Sequence, residues 1–191
     1  MANSKNVAVV GATGAVGEAM IAILEQRAFP VGRLFPLASE RSAGSMINFN
    51  GKSIRVTKLD DFDFSTVSVG LFSAGGSVSS VFAPKAVESG CVVVDNTSYF
   101  RNDPEIPLVI PEVNAHAIEG HGGIIANPNC STIQMIEYPC FLEQDGLDDM
   151  VWETSEDIVI SENAVDMCDW SGPCVIIITV QNVQTGEHMC V

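Results

Sequence analysis

The chain has 191 residues, of which 47% are hydrophobic and 17% charged, enough for one domain with a sizeable core and part of a second, and too apolar for whole-chain disorder. Its formal net charge of −15 argues against nucleic acid or an anionic membrane as a partner, because both need clustered cations. The charge is uneven: residues 1–136 hold 12 acidic and 9 basic side chains, whereas 137–191 hold 12 acidic ones and no Lys or Arg, so the composition divides the chain into a first domain, 1–136, and an acidic tail, 137–191, of unassigned fold.

In chain order, residues 1–6 carry one Lys and no apolar run of signal-peptide length, and the longest apolar stretch, 174–180, is too short to span a bilayer, so a cytoplasmic protein is expected. Residues 6–10 (NVAVV) form a short apolar strand that ends at a glycine. Residues 18–27 place Ala19, Ile23, Leu24 and Arg27 at helical spacing, and 34–38 is the next strand, giving a strand-helix-strand unit with a parallel pair. Residues 47–49 and 53–56 flank Asn50-Gly51, a pair suited to the positive φ angles of a type I′ hairpin turn, with an exposed loop as the alternative.

Residues 67–72 read as a buried strand, 78–88 as a helix weakened in the middle by Pro84, and 91–95 as another strand. Short strands at 108–110 and 124–126 flank a helical turn near 115–119. This alternation is the pattern of a Rossmann-like α/β fold with a doubly wound, mostly parallel sheet. In the tail, 157–160 and 175–180 are candidate strands without a readable topology.

The loop Gly11-Ala12-Thr13-Gly14-Ala15-Val16-Gly17 joins the first strand to the first helix, where glycines admit a pyrophosphate and helix N–H groups favour its charge. Its spacing is G-x-x-G-x-x-G, and a purely structural glycine turn is the alternative. At the end of the second strand, Ser39, Arg41 and Ser42 suit a 2′-phosphate and favour NADP. Glu40 could instead hold a ribose hydroxyl in the manner of NAD sites, and Arg41 could be a solvated surface residue. Ser73-Ala74-Gly75 makes a second close-approach loop at a strand's carboxyl end, and Asn96 on the same edge could hydrogen-bond a carboxamide.

The six cysteines show no zinc spacing, no metal site is expected, and a disulfide framework has little support. Cys130 is set apart by its surroundings, Asn127-Pro128-Asn129-Cys130-Ser131-Thr132, which place a thiol behind a turn at the start of a helix. A helix N-terminus favours the thiolate, the nucleophilic form; a small buried core residue is the other reading.

Residues 11–17, 38–44, 72–76, 94–101, 109–114 and 126–134 together resemble the amino-terminal domain of aspartate-semialdehyde dehydrogenase, with NPNCST the most specific segment. The resemblance implies NADP-linked reductive dephosphorylation of L-aspartyl 4-phosphate to aspartate semialdehyde and phosphate, a step towards lysine, threonine and methionine. It implies Cys130 as the nucleophile that forms a thioester, Arg101 as the phosphate-binding residue and Asn129 as a substrate-placing one. An ordinary surface cation is the alternative for Arg101.

Past residue 136 the resemblance stops: the family's glutamine, carboxylate-binding arginine and acid-base histidine have no match, and its homodimer contacts are expected to be lost. A charge-depleted remainder joined to this half suggests a truncation, a frameshift or a fused segment, with low or no activity alone. The competing expectation is a non-catalytic nucleotide-binding remnant whose acidic tail serves as an interaction segment.

Overall fold

The computed structural model describes residues 4–137, 179–181 and 188–190. Alternation along the first strand, β1 (Lys5–Val10), sets up two cores: Val7 and Val9 face one side and Ala8 and Val10 the other, all fully buried. The side of Val7 and Val9 is covered by helix α1 (Ala15–Gln26), which buries Ile21 there together with Leu34 and Phe49. The opposite side is covered by helix α2 (Gly76–Glu88), whose Ala83 and Ala86 pack with Leu37, Phe72 and Val93. Each fully buried Val, Leu, Ile or Phe contributes about 1.5–3 kcal/mol relative to exposure. A strand apolar on both faces is stable only between two helical layers, the doubly wound arrangement.

The other strands are β2 (Val31–Ala38), β5 (Thr57–Lys58), β6 (Val69–Phe72), β7 (Val92–Asp95) and β8 (Ile124–Ala126). They form one six-stranded sheet in the order β5-β2-β1-β6-β7-β8, with every neighbouring pair parallel. From β1 the chain moves outwards to β2 and β5 and returns to the other side of β1 as β6. The order therefore reverses between β1 and β6, where ligands bind at the carboxyl ends of an open α/β sheet. Strands β3 (Met46–Phe49) and β4 (Lys52–Arg55) form the expected hairpin, with Asn50 and Gly51 both at positive φ.

Several elements differ from the sequence expectation. Helix α1 starts at Ala15, because Gly14 already serves as its N-cap. Helix α2 is the expected helix, continuous through Pro84 at the cost of one backbone donor, but it begins two residues earlier, at Gly76. Residues 108–110 are not a strand: Leu108 makes only an isolated bridge to Ala126, and Pro111 opens the short helix α3 (Pro111–Asn114), which leads into a 3-10 turn at Ala115–Gly120. Beyond β8, helix α4 (Cys130–Glu137) begins at the proposed nucleophile.

The chain divides into two units, Met1–Phe141 and Leu142–Val191. In the second, β9 (Thr179–Gln181) and β10 (His188–Cys190) pair antiparallel. The expected strand at 157–160 and most of that at 175–180 lie outside the described residues. Among the described residues, no helix is long and apolar enough to cross a membrane.

Candidate functional site

Five strand ends define the site edge: Gly11 follows β1, Ser39 follows β2, Ser73 follows β6, Asn96 follows β7 and Asn127 follows β8. The glycine loop is tied to the second strand by Gly11 and Ala12 N–H groups, which both donate to the Leu37 carbonyl at 2.9 and 3.1 Å. Gly11 has φ +88°, and a Cβ there would lie 3.0 Å from both the Ala74 nitrogen and Ser73 Oγ. A Cβ on Gly17 would run into the Gly11 carbonyl oxygen, so α1 packs against its own loop only with glycine at that position.

Thr13, Gly14 and Ala15 stand exposed above this turn and Val16 is half-buried. Backbone N–H groups in the first turn of α1 have no intrahelical partner and suit an anion. The Ser73 N–H and Oγ both donate to the Val10 carbonyl, at 2.9 and 3.1 Å, which seats the Ser73-Ala74-Gly75 loop against Gly11 at the reversal point of the sheet. A backbone cradle narrowed by two loops, open above and free of bulk at Gly11, fits the pyrophosphate of a dinucleotide.

Ser39, Arg41 and Ser42 lie in the turn that follows β2, with Arg41 exposed and Ser42 half-buried. Glu40 reaches away to Lys58 on β5, 3.5 Å between Oε2 and Nζ. With Glu40 exposed the pair is weak, yet it engages the acid that an NAD site would turn to the ribose.

At the other end of the edge, Asn129 is the N-cap of α4. Its Oδ1 accepts the Ser131 N–H at 2.9 Å and its carbonyl accepts the Ile133 N–H at 3.0 Å. Cys130, exposed, is the first helical residue, and its Sγ lies 3.8 Å from Asn129 Oδ1. Arg101 clamps the two neighbouring strand ends: Nε donates to the Asn127 carbonyl at 3.0 Å and Nη2 to the Asn96 carbonyl at 2.9 Å. Partial burial works against its charge, while Asp95 and Cys130 in its surroundings favour it. The structure thus brings Arg101, Asn129 and Cys130 to one end of the sheet edge. Asn96 joins them to the nucleotide loops, its N–H donating to the Phe72 carbonyl at 2.9 Å.

Residues 6–121 match the family model described as the semialdehyde dehydrogenase, NAD binding domain, which accounts for more than half of the chain. The chain belongs to this family. A curated aspartate-semialdehyde dehydrogenase of Shewanella violacea is 60% identical over 138 residues, covering 71% of this chain and 41% of that protein. The crystal structure of aspartate semialdehyde dehydrogenase II from Vibrio cholerae, complexed with ASA, superposes with a TM-score of 0.69 at 55% identity, over 72% of this chain and 47% of that one. The enzyme of Candida albicans solved with NADP superposes with a TM-score of 0.58 at 25% identity, over 70% of this chain and 45% of that one. This chain therefore spans about two-fifths of the length of the curated relatives it matches.

Two residues that hold this candidate site together were missed from the sequence. Asn127 donates its N–H to the Asp95 carbonyl at 2.8 Å and its Nδ2 to Asn96 Oδ1 at 2.7 Å, besides receiving Arg101. The side-chain oxygen of Asn96 is therefore engaged within the site. Asp95 is fully buried beneath the same turn. The signal for Asn127 was its place one residue past β8, beside Pro128; for Asp95 it was an acid that ends an otherwise apolar strand. Cys91, just before β7, is buried, and burial pushes its thiol up to about 11, which leaves it inert where Cys130 is open.

Proposed function

We propose that the first 136 residues carry the nucleotide-binding and nucleophilic half of an aspartate-semialdehyde dehydrogenase, acting on L-aspartyl 4-phosphate, semialdehyde and phosphate. The observation that supports this most is the exposed Cys130 at the start of α4, capped by Asn129 and within electrostatic reach of Arg101. In this reading the Cys130 thiolate attacks the acyl carbon, the bond from that carbon to the phosphate oxygen breaks, and a thioester remains on Cys130. Arg101 receives the leaving phosphate through its remaining guanidinium donors, and Asn129 keeps the helix start in place under the sulfur. When bound, NADPH would supply the hydride for the thioester carbon, and breaking of that carbon's bond to Cys130 Sγ returns the thiolate and leaves the aldehyde.

The nucleotide is held by Gly11, Thr13, Gly14, Ala15 and Val16 at the pyrophosphate and by Ser73, Ala74 and Gly75 across the reversal point. Asn96 lies towards the carboxamide, and Ser39, Arg41 and Ser42 meet the 2′-phosphate. NADP over NAD is supported by the exposed guanidinium of Arg41, by the Glu40–Lys58 pair and by the NADP in the Candida albicans relative. Arg41→Ala is expected to weaken NADP by about 1.5–3 kcal/mol and to leave NAD unchanged. Fluorescence titration of both reduced cofactors checks this, and equal wild-type affinities would remove the NADP assignment.

The reaction itself is tested by mixing the 191-residue chain with β-aspartyl phosphate in the absence of nucleotide. The expected result is a slow release of up to one phosphate per chain, with the matching acyl mass on the peptide that contains Cys130. A chain that binds NADPH yet releases no phosphate beyond spontaneous hydrolysis would instead be a non-catalytic nucleotide-binding protein.

A further inference from the structure

Asp95 ends β7 with its carboxylate fully buried, although Arg101, Asn129 and Cys130 leave it no direct role in the proposed chemistry. Burying a carboxylate costs several kcal/mol unless its oxygens are well satisfied. Here they are: Oδ1 accepts the Ser79 hydroxyl at 2.8 Å and the Thr97 N–H at 3.2 Å, and Oδ2 accepts the Thr97 hydroxyl at 2.8 Å. All three donors are neutral, and among the described residues Asp95 makes no ion pair.

Those donors come from two places that matter. Ser79, itself fully buried, belongs to α2, the helix behind the Ser73-Ala74-Gly75 loop. Thr97 belongs to the turn that ends in Arg101, and its hydroxyl oxygen in turn accepts the Tyr99 N–H at 3.4 Å. The Asp95 carbonyl accepts the Asn127 N–H, and the next carbonyl, that of Asn96, accepts Arg101. One buried carboxylate therefore fixes the start of the 96–101 turn, while Arg101 closes its end against the loop that leads to Cys130.

We propose that Asp95 is a positioning residue: through Thr97 and Ser79 it holds the 96–101 turn so that the Arg101 guanidinium meets a phosphate oxyanion at the Cys130 end of the sheet. The inference rests on the reading of Arg101 as the phosphate-binding residue.

The test uses the full 191-residue chain and inorganic phosphate as the probe. Alkylation of Cys130 by iodoacetamide is followed by mass mapping with and without phosphate, and Cys91 in the same digest reports opening of the fold, because its thiol is buried. Phosphate is expected to slow Cys130 labelling in the wild type and to lose that effect in Arg101→Ala. Asp95→Asn keeps the shape but puts an amide NH2, which only donates, where a carboxylate oxygen accepted a hydroxyl, so it disturbs one of the contacts that hold the turn. Asp95→Asn and the isosteric Thr97→Val are each expected to need about tenfold more phosphate for the same protection, a loss in keeping with misplacement of one binding group. Thr97→Ser, which retains the hydroxyl, is expected to stay within about twofold of wild type.

Cys91 labelling should be unchanged throughout, which a merely structural defect would not allow. Wild-type Cys130 that phosphate does not protect, or full protection in Arg101→Ala, would overturn the Arg101 reading and this inference with it. Protection lost in Arg101→Ala but kept in Asp95→Asn and Thr97→Val would overturn the inference alone. If Asp95→Asn opens the fold, the Thr97→Val and Thr97→Ser pair decides: equal behaviour of the two, or exposure of Cys91 in Thr97→Val, overturns the positioning role.

Discussion

Cys130→Ala is expected to abolish phosphate release from β-aspartyl phosphate while leaving the free energies of NADPH binding and of unfolding within about 0.5 kcal/mol of wild type. The side chain is exposed at the first position of α4, so its removal opens no cavity, and alanine is a good helix former. The cap of the helix is untouched, because Asn129 supplies it through Oδ1. The nucleotide loops are anchored elsewhere, by Leu37 and Val10 carbonyls, and do not depend on the sulfur. Only the nucleophile is lost. Cys91 cannot take over, since it is buried and burial has pushed its thiol up to about 11. Phosphate counted against protein, with calorimetry on the same sample, checks both halves of the expectation. Release that persists at the wild-type level in Cys130→Ala would show that the acyl phosphate reacts at another group.

Steady-state turnover of aspartate semialdehyde by the 191-residue chain alone is expected to lie at least about 10⁴-fold below that of a full-length relative. A positioned general acid or base is commonly worth about 10²- to 10⁴-fold. A group that holds the substrate's carboxylate adds to this by keeping the reacting carbon near the thiolate. In the proposed reading, the residues matched to relatives would supply the nucleophile, its cap, a phosphate-binding guanidinium and the nucleotide cradle. Residues 137–191 hold no Lys or Arg, so a carboxylate grip from that part of the chain has no cation to use, and its only histidine, His188, lies in a Gly-Glu-His-Met context unlike the family's histidine motif. The two losses compound, because an aldehyde that is not held in place gains little from a bound cofactor. NADPH formation from NADP, semialdehyde and phosphate measures the rate. Cys130-dependent turnover near that of a full-length enzyme would show catalytic groups in the remainder that neither the motifs nor the composition reveal.

Much of this protein is determined by sequence alone. Strands such as 6–10 and 91–95 are apolar on both faces, a pattern that only a sheet covered on both sides can bury, so the α/β class follows from residue order. The glycine loop and the NPNCST segment are local chemistry, in which the turn, the helix start and the reactive atom lie within a few residues of one another. Local propensities also misled: the apolar residues at 108–110 suggested a strand, but the sheet ends at β8 and Pro111 turns the chain into a helix, leaving one bridge. The two-residue strand β5 was too short for any periodicity to show.

What only the tertiary structure decided is how distant residues are held together. Arg101 lies 26 positions from Asn127, and Ser79 lies 16 from Asp95, yet each pair is joined by a hydrogen bond of 3.0 Å or less. No spacing rule predicts these contacts, because they depend on β6, β7 and β8 lying side by side in parallel, which places the ends of separate strands on one edge. The partners of Asn127 and Asp95 were hidden for the same reason: Asn127 meets the Asp95 carbonyl and Asn96 Oδ1 at the end of another strand, and Asp95 meets the Ser79 hydroxyl of α2, and such groups exist at many positions of a sequence until the fold selects among them.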